Sequence, residues 1–113
     1  MSVIAPFPKP RDRRPVTSFD RLELMRIMDL YGRMVAAGHW RDYALGHHPD
    51  IAVFAAFRRH SERPAIRIEK RPELRMKQGA FALVGEHGVV LNRGHDLSGV
   101  MAPLERRFMR LVG

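Results

Sequence analysis

The stretch 51–93 decides the fold, because it contains four short apolar runs separated by turn signals. The runs are IAVFAAFR (51–58), AIRIEKR (65–71), GAFALVG (79–85) and VVLNR (89–93). The segments between them contain the proline, glycine and polar residues that end strands and form turns. The pattern predicts a four-stranded antiparallel meander.

Alternation within these runs assigns the faces of the predicted sheet. Ile66 and Ile68 point towards a core, while Arg67 and Arg71 point away from it. The first run is apolar on both faces, so its Phe54 lies either among the arginines of the outer face or buried under a helix or loop. The remaining strands place Phe81, Leu83, Val89 and Leu91 on the core face and Ala80, Ala82 and Asn92 on the outer face.

Helical patterns flank the strands on both sides. A helix is predicted over residues 20–37. Its N-terminus can be capped by the side chain of Thr17, Ser18 or Asp20, and Gly38 ends it in a left-handed conformation. Its apolar arc is wide, which predicts that either the second helix or another protomer packs on it. The second helix begins at Asp96 and carries a stripe of apolar residues at Leu97, Met101, Leu104, Phe108 and Leu111.

Pro103 lies within this second stripe and predicts a kink or a new helix start, because proline removes a backbone hydrogen bond. The whole pattern indicates an α+β domain of order α-β-β-β-β-α. The predicted core consists of Leu24, Ile27, Met28, Tyr31, Phe57, Ile66, Ile68, Phe81, Leu83, Leu91, Leu97, Leu104 and Phe108.

Length and composition favour one domain over residues 16–113 of the 113-residue chain. Residues 1–15 contain four prolines and five charged residues, which predicts a disordered tail. The chain has no cysteine, so disulfides and cysteine nucleophiles are excluded. The N-terminal sequence is the reverse of a signal peptide, and the expected location is the cytoplasm.

Positive charge is concentrated in one part of the chain. The formal net charge is +8, and residues 58–77 alone contain eight lysines and arginines against three acidic residues. Such clustering is typical of proteins that bind a polyanion. The predicted nucleic-acid-binding residues are Arg58, Arg59, Arg67, Lys70, Arg71, Arg75 and Lys77, with Arg63 at the edge.

The segment 38–50 contains the single tryptophan and three of the six histidines. His39, His47, His48 and Asp50 are possible metal ligands, but their spacing matches no metal motif, and no metal site is predicted. The alternative is an apolar lid in which Trp40, Tyr43 and Leu45 cover one edge of the core. Because lids often bind ligands, a ligand or partner loop is predicted at His39, Trp40, Arg41 and Tyr43, together with His95.

Three strings carry a resemblance to a known family. They are LYGRMVAAGHWRDYA (30–44), RIEKRP (67–72) with KQG (77–79), and LNRGHDL (91–97). Over about residues 17–105 the chain resembles a family of small alphaproteobacterial proteins classified as domain of unknown function 2794. The resemblance implies no activity, and it implies that both chain ends are variable extensions.

Two classes of function follow from these patterns. The first is a nucleic-acid-binding accessory module, with RNA as the ligand of the basic sheet face. The alternative is a regulatory or adaptor protein that binds an acidic protein surface. The sequence contains no glycine-rich phosphate loop, no serine-centred nucleophile elbow and no carboxylate pair at a spacing typical of catalysis. These absences argue against an enzyme, and no cofactor is predicted. A monomer and a homodimer both remain open.

Overall fold

The structure is a computed structural model that describes residues 15–59 and 61–112. Two helices enclose five strands in sequence. The elements are α1 (Arg21–Ala36), β1 (Asp42–His47), β2 (Ala52–Phe57), β3 (Ile66–Lys70), β4 (Phe81–Gly85), β5 (Val90–Gly94) and α2 (Leu97–Val112), with a short 3₁₀ turn at Pro72–Leu74. The predicted α+β class with an N-terminal and a C-terminal helix is confirmed, whereas the predicted number of four strands is wrong.

The additional strand is β1, which sequence analysis had interpreted as a loop. It pairs antiparallel with β2 along its whole length, from Asp42 opposite Phe57 to His47 opposite Ala52. All five strands are consecutive neighbours in one antiparallel sheet, in the order β1-β2-β3-β4-β5. The meander is therefore one strand wider than predicted, and β1 forms one of its edges.

Both helices pack on the same face of the sheet, which we call the core face. Ile27, Leu30 and Met34 of α1 and Val100 and Met101 of α2 are all buried in one apolar cluster. The same cluster contains the core-face residues Phe54, Ile68 and Leu83, which lie opposite one another in the strand register. The wide apolar arc of α1 is thus explained mainly by packing inside the chain, although Leu22 and Met25 remain exposed.

The first helix begins and ends where its capping residues predict. The Asp20 side chain accepts a hydrogen bond from the backbone N–H of Glu23 at 2.8 Å, and the Glu23 side chain accepts one from the backbone N–H of Asp20 at 2.8 Å. This reciprocal pair is a capping box, which satisfies two otherwise unpaired donors. Gly38 follows the helix with φ of 84°, a left-handed conformation that ends it.

Several predicted face assignments are wrong. Phe57, which was predicted in the core, lies half-buried outside the core cluster, whereas Phe54, on the opposite parity of β2, is 1% exposed and takes the buried one of its two predicted positions. Leu91 is 57% exposed, because the pairing passes from Leu83–Asn92 to Val84–Val90 and leaves Leu91 as the bulged residue of β5; Val89, which is 61% exposed, lies just before the strand. Ala80 belongs to the core cluster, and Asn92 faces α2 rather than the outer face.

Asn92 explains how α2 continues through Pro103 as a single helix. A proline at this position has no N–H to donate to the carbonyl of Gly99, four residues earlier. The side-chain amide of Asn92 donates to that carbonyl oxygen instead, at 3.1 Å. The helix start is capped by Asp96, whose carboxylate accepts a hydrogen bond from the backbone N–H of Gly99 at 2.6 Å.

Replacing Asn92 by alanine is therefore expected to lower the free energy of unfolding by about 1 kcal/mol, the usual worth of a hydrogen bond to a backbone carbonyl. In a Pro103→Ala background the loss should shrink, because the new N–H of residue 103 bonds the same carbonyl. Urea unfolding of the four proteins of this double-mutant cycle measures the coupling. Equal losses in both backgrounds would show that Asn92 does not replace the missing donor.

The predicted tail, residues 1–15, lies outside the described residues apart from Pro15, and its separation from the domain stays a prediction. Within the described part of the chain, neither helix combines the length and the apolar character needed to cross a bilayer.

Candidate nucleic-acid interface

The sheet has a second face, opposite the helices, which we call the outer face. The strand register places on it the side chains of Val53, Ala55, Phe57, Arg67, Glu69, Ala82, Val84 and Arg93. Neither of the two helices that the structure describes packs on this face. Its centre is formed by small apolar side chains, and three of its members are charged.

Arg67 and Arg71 project from the outer face on either side of Glu69. The Nη2 atom of Arg67 lies 3.2 Å from Oε2 of Glu69, and the Nε atom of Arg71 lies 3.8 Å from Oε1 of the same carboxylate. The Glu69 side chain is only 13% exposed, whereas those of Arg67 and Arg71 are 34% and 39% exposed. The recessed carboxylate of Glu69 therefore pairs with two guanidinium groups that are more exposed than it is. The charges of the three side chains sum to +1.

Arg93 adds a third guanidinium group to this face, from β5. It pairs with Ala82 of β4, which in turn pairs with Glu69 of β3. Its Nη1 atom is buried and has no hydrogen-bond partner among the described residues. Arg93 is not among the residues predicted to bind nucleic acid, because it lies outside the dense basic stretch 58–77.

Lys70, which was predicted to bind nucleic acid, points to the core face. Its Nζ atom donates to the Glu23 carboxylate at 2.7 Å and to the backbone carbonyl of Ser18 at 3.0 Å. The ammonium group thereby ties the start of α1 to β3. Lys70 is an odd number of positions from both Arg67 and Arg71. Because side chains alternate between the two faces of a strand, this spacing already indicates that Lys70 faces away from them.

Arg58 and Arg59 lie beyond the end of β2, away from the centre of the outer face. Arg58 forms an ion pair with Glu86 of the β4–β5 turn, and Arg63 lies 3.4 Å from Nδ1 of His87 in the same turn. The hydrogen bond from Arg58 holds the pKa of the Glu86 carboxyl below its ordinary value. Arg75 and Lys77 are exposed in the turn that follows β3.

The residues of the predicted ligand loop lie in different parts of the structure. Trp40 and Tyr43 cover the core edge, as expected of a lid, but Tyr43 does so from a strand. Tyr31 lies at the centre of this aromatic group, with its ring centroid 6.1 Å from Trp40, 5.0 Å from Tyr43 and 6.0 Å from Phe54. Burial, followed by the charge of Asp42, raises the pKa of the Tyr31 phenol above its ordinary value.

The other members of the predicted loop go to different places. His39 lines a cleft together with Trp40, and Arg41 lines a smaller pocket beside Phe57. His95 is exposed between β5 and α2, at the opposite end of the sheet from both. Among the described residues, no group of three or more histidine, aspartate or glutamate side chains could hold a metal ion.

Comparison with known proteins assigns the chain to a family. The sequence profile described as Protein of unknown function (DUF2794) matches residues 17–101. The chain belongs to this family. The DUF2794 match covers the whole sheet, including the three arginines of the outer face, and ends inside α2. No curated protein matches the sequence, and no solved structure matches it.

Proposed function

We propose that the protein is a non-enzymatic accessory module of the cytoplasm that binds single-stranded RNA on its outer face. The observation that carries the proposal is the placement of both helices on the core face, with Arg67, Arg71 and Arg93 on the other. Positively charged surfaces with an aromatic side chain are typical of single-strand binding, because phosphates pair with the charges and bases stack on the ring.

The aromatic component of this surface is Phe57 and not Phe54. Phe54 is buried beneath the helices, whereas Phe57 is half-buried on the outer face near the exposed Arg41. Ala55 and Ala82, at the centre of the face, are 7% and 1% exposed, so contacts with a ligand fall to the longer side chains around them. A nucleotide chain could therefore lie across the strands with its phosphates at Arg67, Arg71 and Arg93.

Glu69 supports this interpretation as a positioning residue. Its recessed carboxylate contacts both Arg67 and Arg71, so it limits the conformations of two long side chains before a ligand arrives. Such ordering reduces the entropy lost when phosphates bind. The negative charge also lowers the total attraction, so the outer face favours moderate, salt-sensitive binding.

Changing both Arg67 and Arg71 to glutamine should weaken RNA binding and reduce its salt dependence. Each phosphate of a single strand that the protein no longer neutralises lowers the slope of log affinity against log salt by about 0.7, so two such phosphates lower it by about 1.4. Fluorescence anisotropy of a labelled mixed-sequence RNA across a salt series measures this slope.

The matched control changes Arg21 and Arg110 to glutamine. Both are exposed and belong to the helices on the core face, and the change in net charge is the same. The control should keep the wild-type slope. Equal slopes in the two double variants, or no wild-type binding at low salt, would contradict the proposal. Retention of an acidic protein from lysate after nuclease treatment would then favour the adaptor function.

A further inference from the structure

A cleft of 670 Å³ opens at one end of the sheet, between the helices and the strand turns. Its walls come from the end of α1 and the segment after it, the turn after β2, the start of β3, the β4–β5 turn, β5 and the second half of α2. Volumes of this size are typical of sites for small organic ligands. The outer face does not contribute Arg67, Arg71 or Arg93 to it.

The inner wall of the cleft is apolar. Met34, Trp40, Ile66, Leu104 and Phe108 all line it, and each is less than a tenth exposed. These side chains belong to the core cluster, so the wall is rigid and continuous with the core. An apolar ligand body lying against it would lose contact with water at little cost in protein ordering.

The rim of the cleft is cationic. Arg58, Arg59 and Arg107 line it, and Glu86 is the one carboxylate among the lining residues that the structure describes. That carboxylate already accepts a hydrogen bond from Arg58. Arg107 is exposed and has no carboxylate within ion-pair distance among the described residues. The rim therefore carries an excess of positive charge beside an apolar wall.

We infer that the cleft binds a small amphiphilic anion, with an aliphatic or aromatic body and one carboxylate or phosphate head. The body lies against Trp40 and Phe108, and the head is paired with Arg107. A nucleotide fits less well, because its sugar and base donors would need acceptors, and Glu86 is the one carboxylate among the described lining residues and already accepts from Arg58. This site is separate from the proposed RNA surface.

Trp40 makes the proposal directly measurable, because it is the single tryptophan of the chain and lines the cleft. Titration of the full-length protein with decanoate, below its micelle concentration, should change the Trp40 fluorescence saturably. Decanol tests the body without the charge, and acetate tests the charge without the body. Decanoate is expected to bind about tenfold more tightly than decanol, a difference equivalent to about 1.4 kcal/mol, and acetate should have no effect.

The Arg107→Gln variant should weaken decanoate binding about tenfold and leave decanol binding unchanged. Arg106→Gln is the control, because Arg106 is exposed on the same turn of α2 and does not line the cleft. Decyl phosphate in place of decanoate identifies the preferred head group, and tighter binding of either one supports the site.

Equal affinities for decanoate and decanol would overturn the proposal, and so would equal losses in the Arg107→Gln and Arg106→Gln variants. Binding of decanoate that is displaced by the mixed-sequence RNA would overturn the separation of the two sites. The Arg67→Gln, Arg71→Gln double variant should bind decanoate as the wild type does. This readout keeps a failure of the cleft proposal distinct from a failure of RNA binding.

Discussion

Ile68→Ala is expected to lower the free energy of unfolding by about 2 to 5 kcal/mol, the range for removing a fully buried aliphatic side chain. Ile68 is 1% exposed and lies between Phe54 and Leu83 in the register of the three central strands. Both helices pack on this row, so neighbouring residues cannot collapse into the resulting cavity without moving α1 or α2. Urea unfolding followed by circular dichroism measures the loss.

The neighbouring residue provides the control. Arg67 lies on the outer face, and the one ion pair that the structure shows for it joins it to Glu69. Arg67→Ala should therefore cost less than about 1 kcal/mol, as is usual for partly exposed ion pairs. Comparable losses for the two variants would mean that the faces of β3 are assigned incorrectly.

Gly79→Ala is expected to lower the free energy of unfolding by more than about 2 kcal/mol, because two penalties coincide there. Gly79 has φ of 100°, which side-chain-bearing residues rarely adopt, and a Cβ atom would collide with the backbone carbonyl of Gly94. The collision is with main chain at the end of β5, so it cannot be relieved by a rotamer change. Thermal unfolding monitored by calorimetry is a suitable measurement.

Gly88→Ala is the matched control for backbone strain alone. Gly88 has φ of 82°, but no atom lies within 4 Å of the position that its Cβ would take. Its substitution should cost about 1 to 2 kcal/mol, from the left-handed conformation alone. If Gly79→Ala were no more destabilising than Gly88→Ala, the close approach of residue 79 to β5 would be contradicted.

The positions of both helices and of four of the five strands were predicted from the sequence, because their signals are local. Asp20 and Glu23 specify the start of α1 by hydrogen bonds within one turn. The strict alternation around Ile66 and Ile68 fixes the faces of β3. Each of these signals depends on neighbours in the chain and not on the rest of the fold.

The remaining assignments depended on contacts distant in sequence. The segment of β1, DYALGH, contains no β-branched residue, and it becomes a strand because β2 pairs with it. The strand β2 is apolar on both faces, so only its register with Ile68 decides that Phe54 is buried. Lys70 points to Glu23 across 47 positions of sequence, a partner that no local pattern indicates.

Placement of RNA on the outer face is the central claim, and an NMR titration of isotope-labelled protein with single-stranded RNA tests it most directly. The predicted result is that the signals of Arg67, Arg71 and Arg93 and of the half-buried Phe57 ring shift together with added RNA. The methyl groups of Ile68 and Leu83, on the core face, should shift far less. Shifts confined to the cleft around Trp40 and Arg107, or none at all, would contradict the claim.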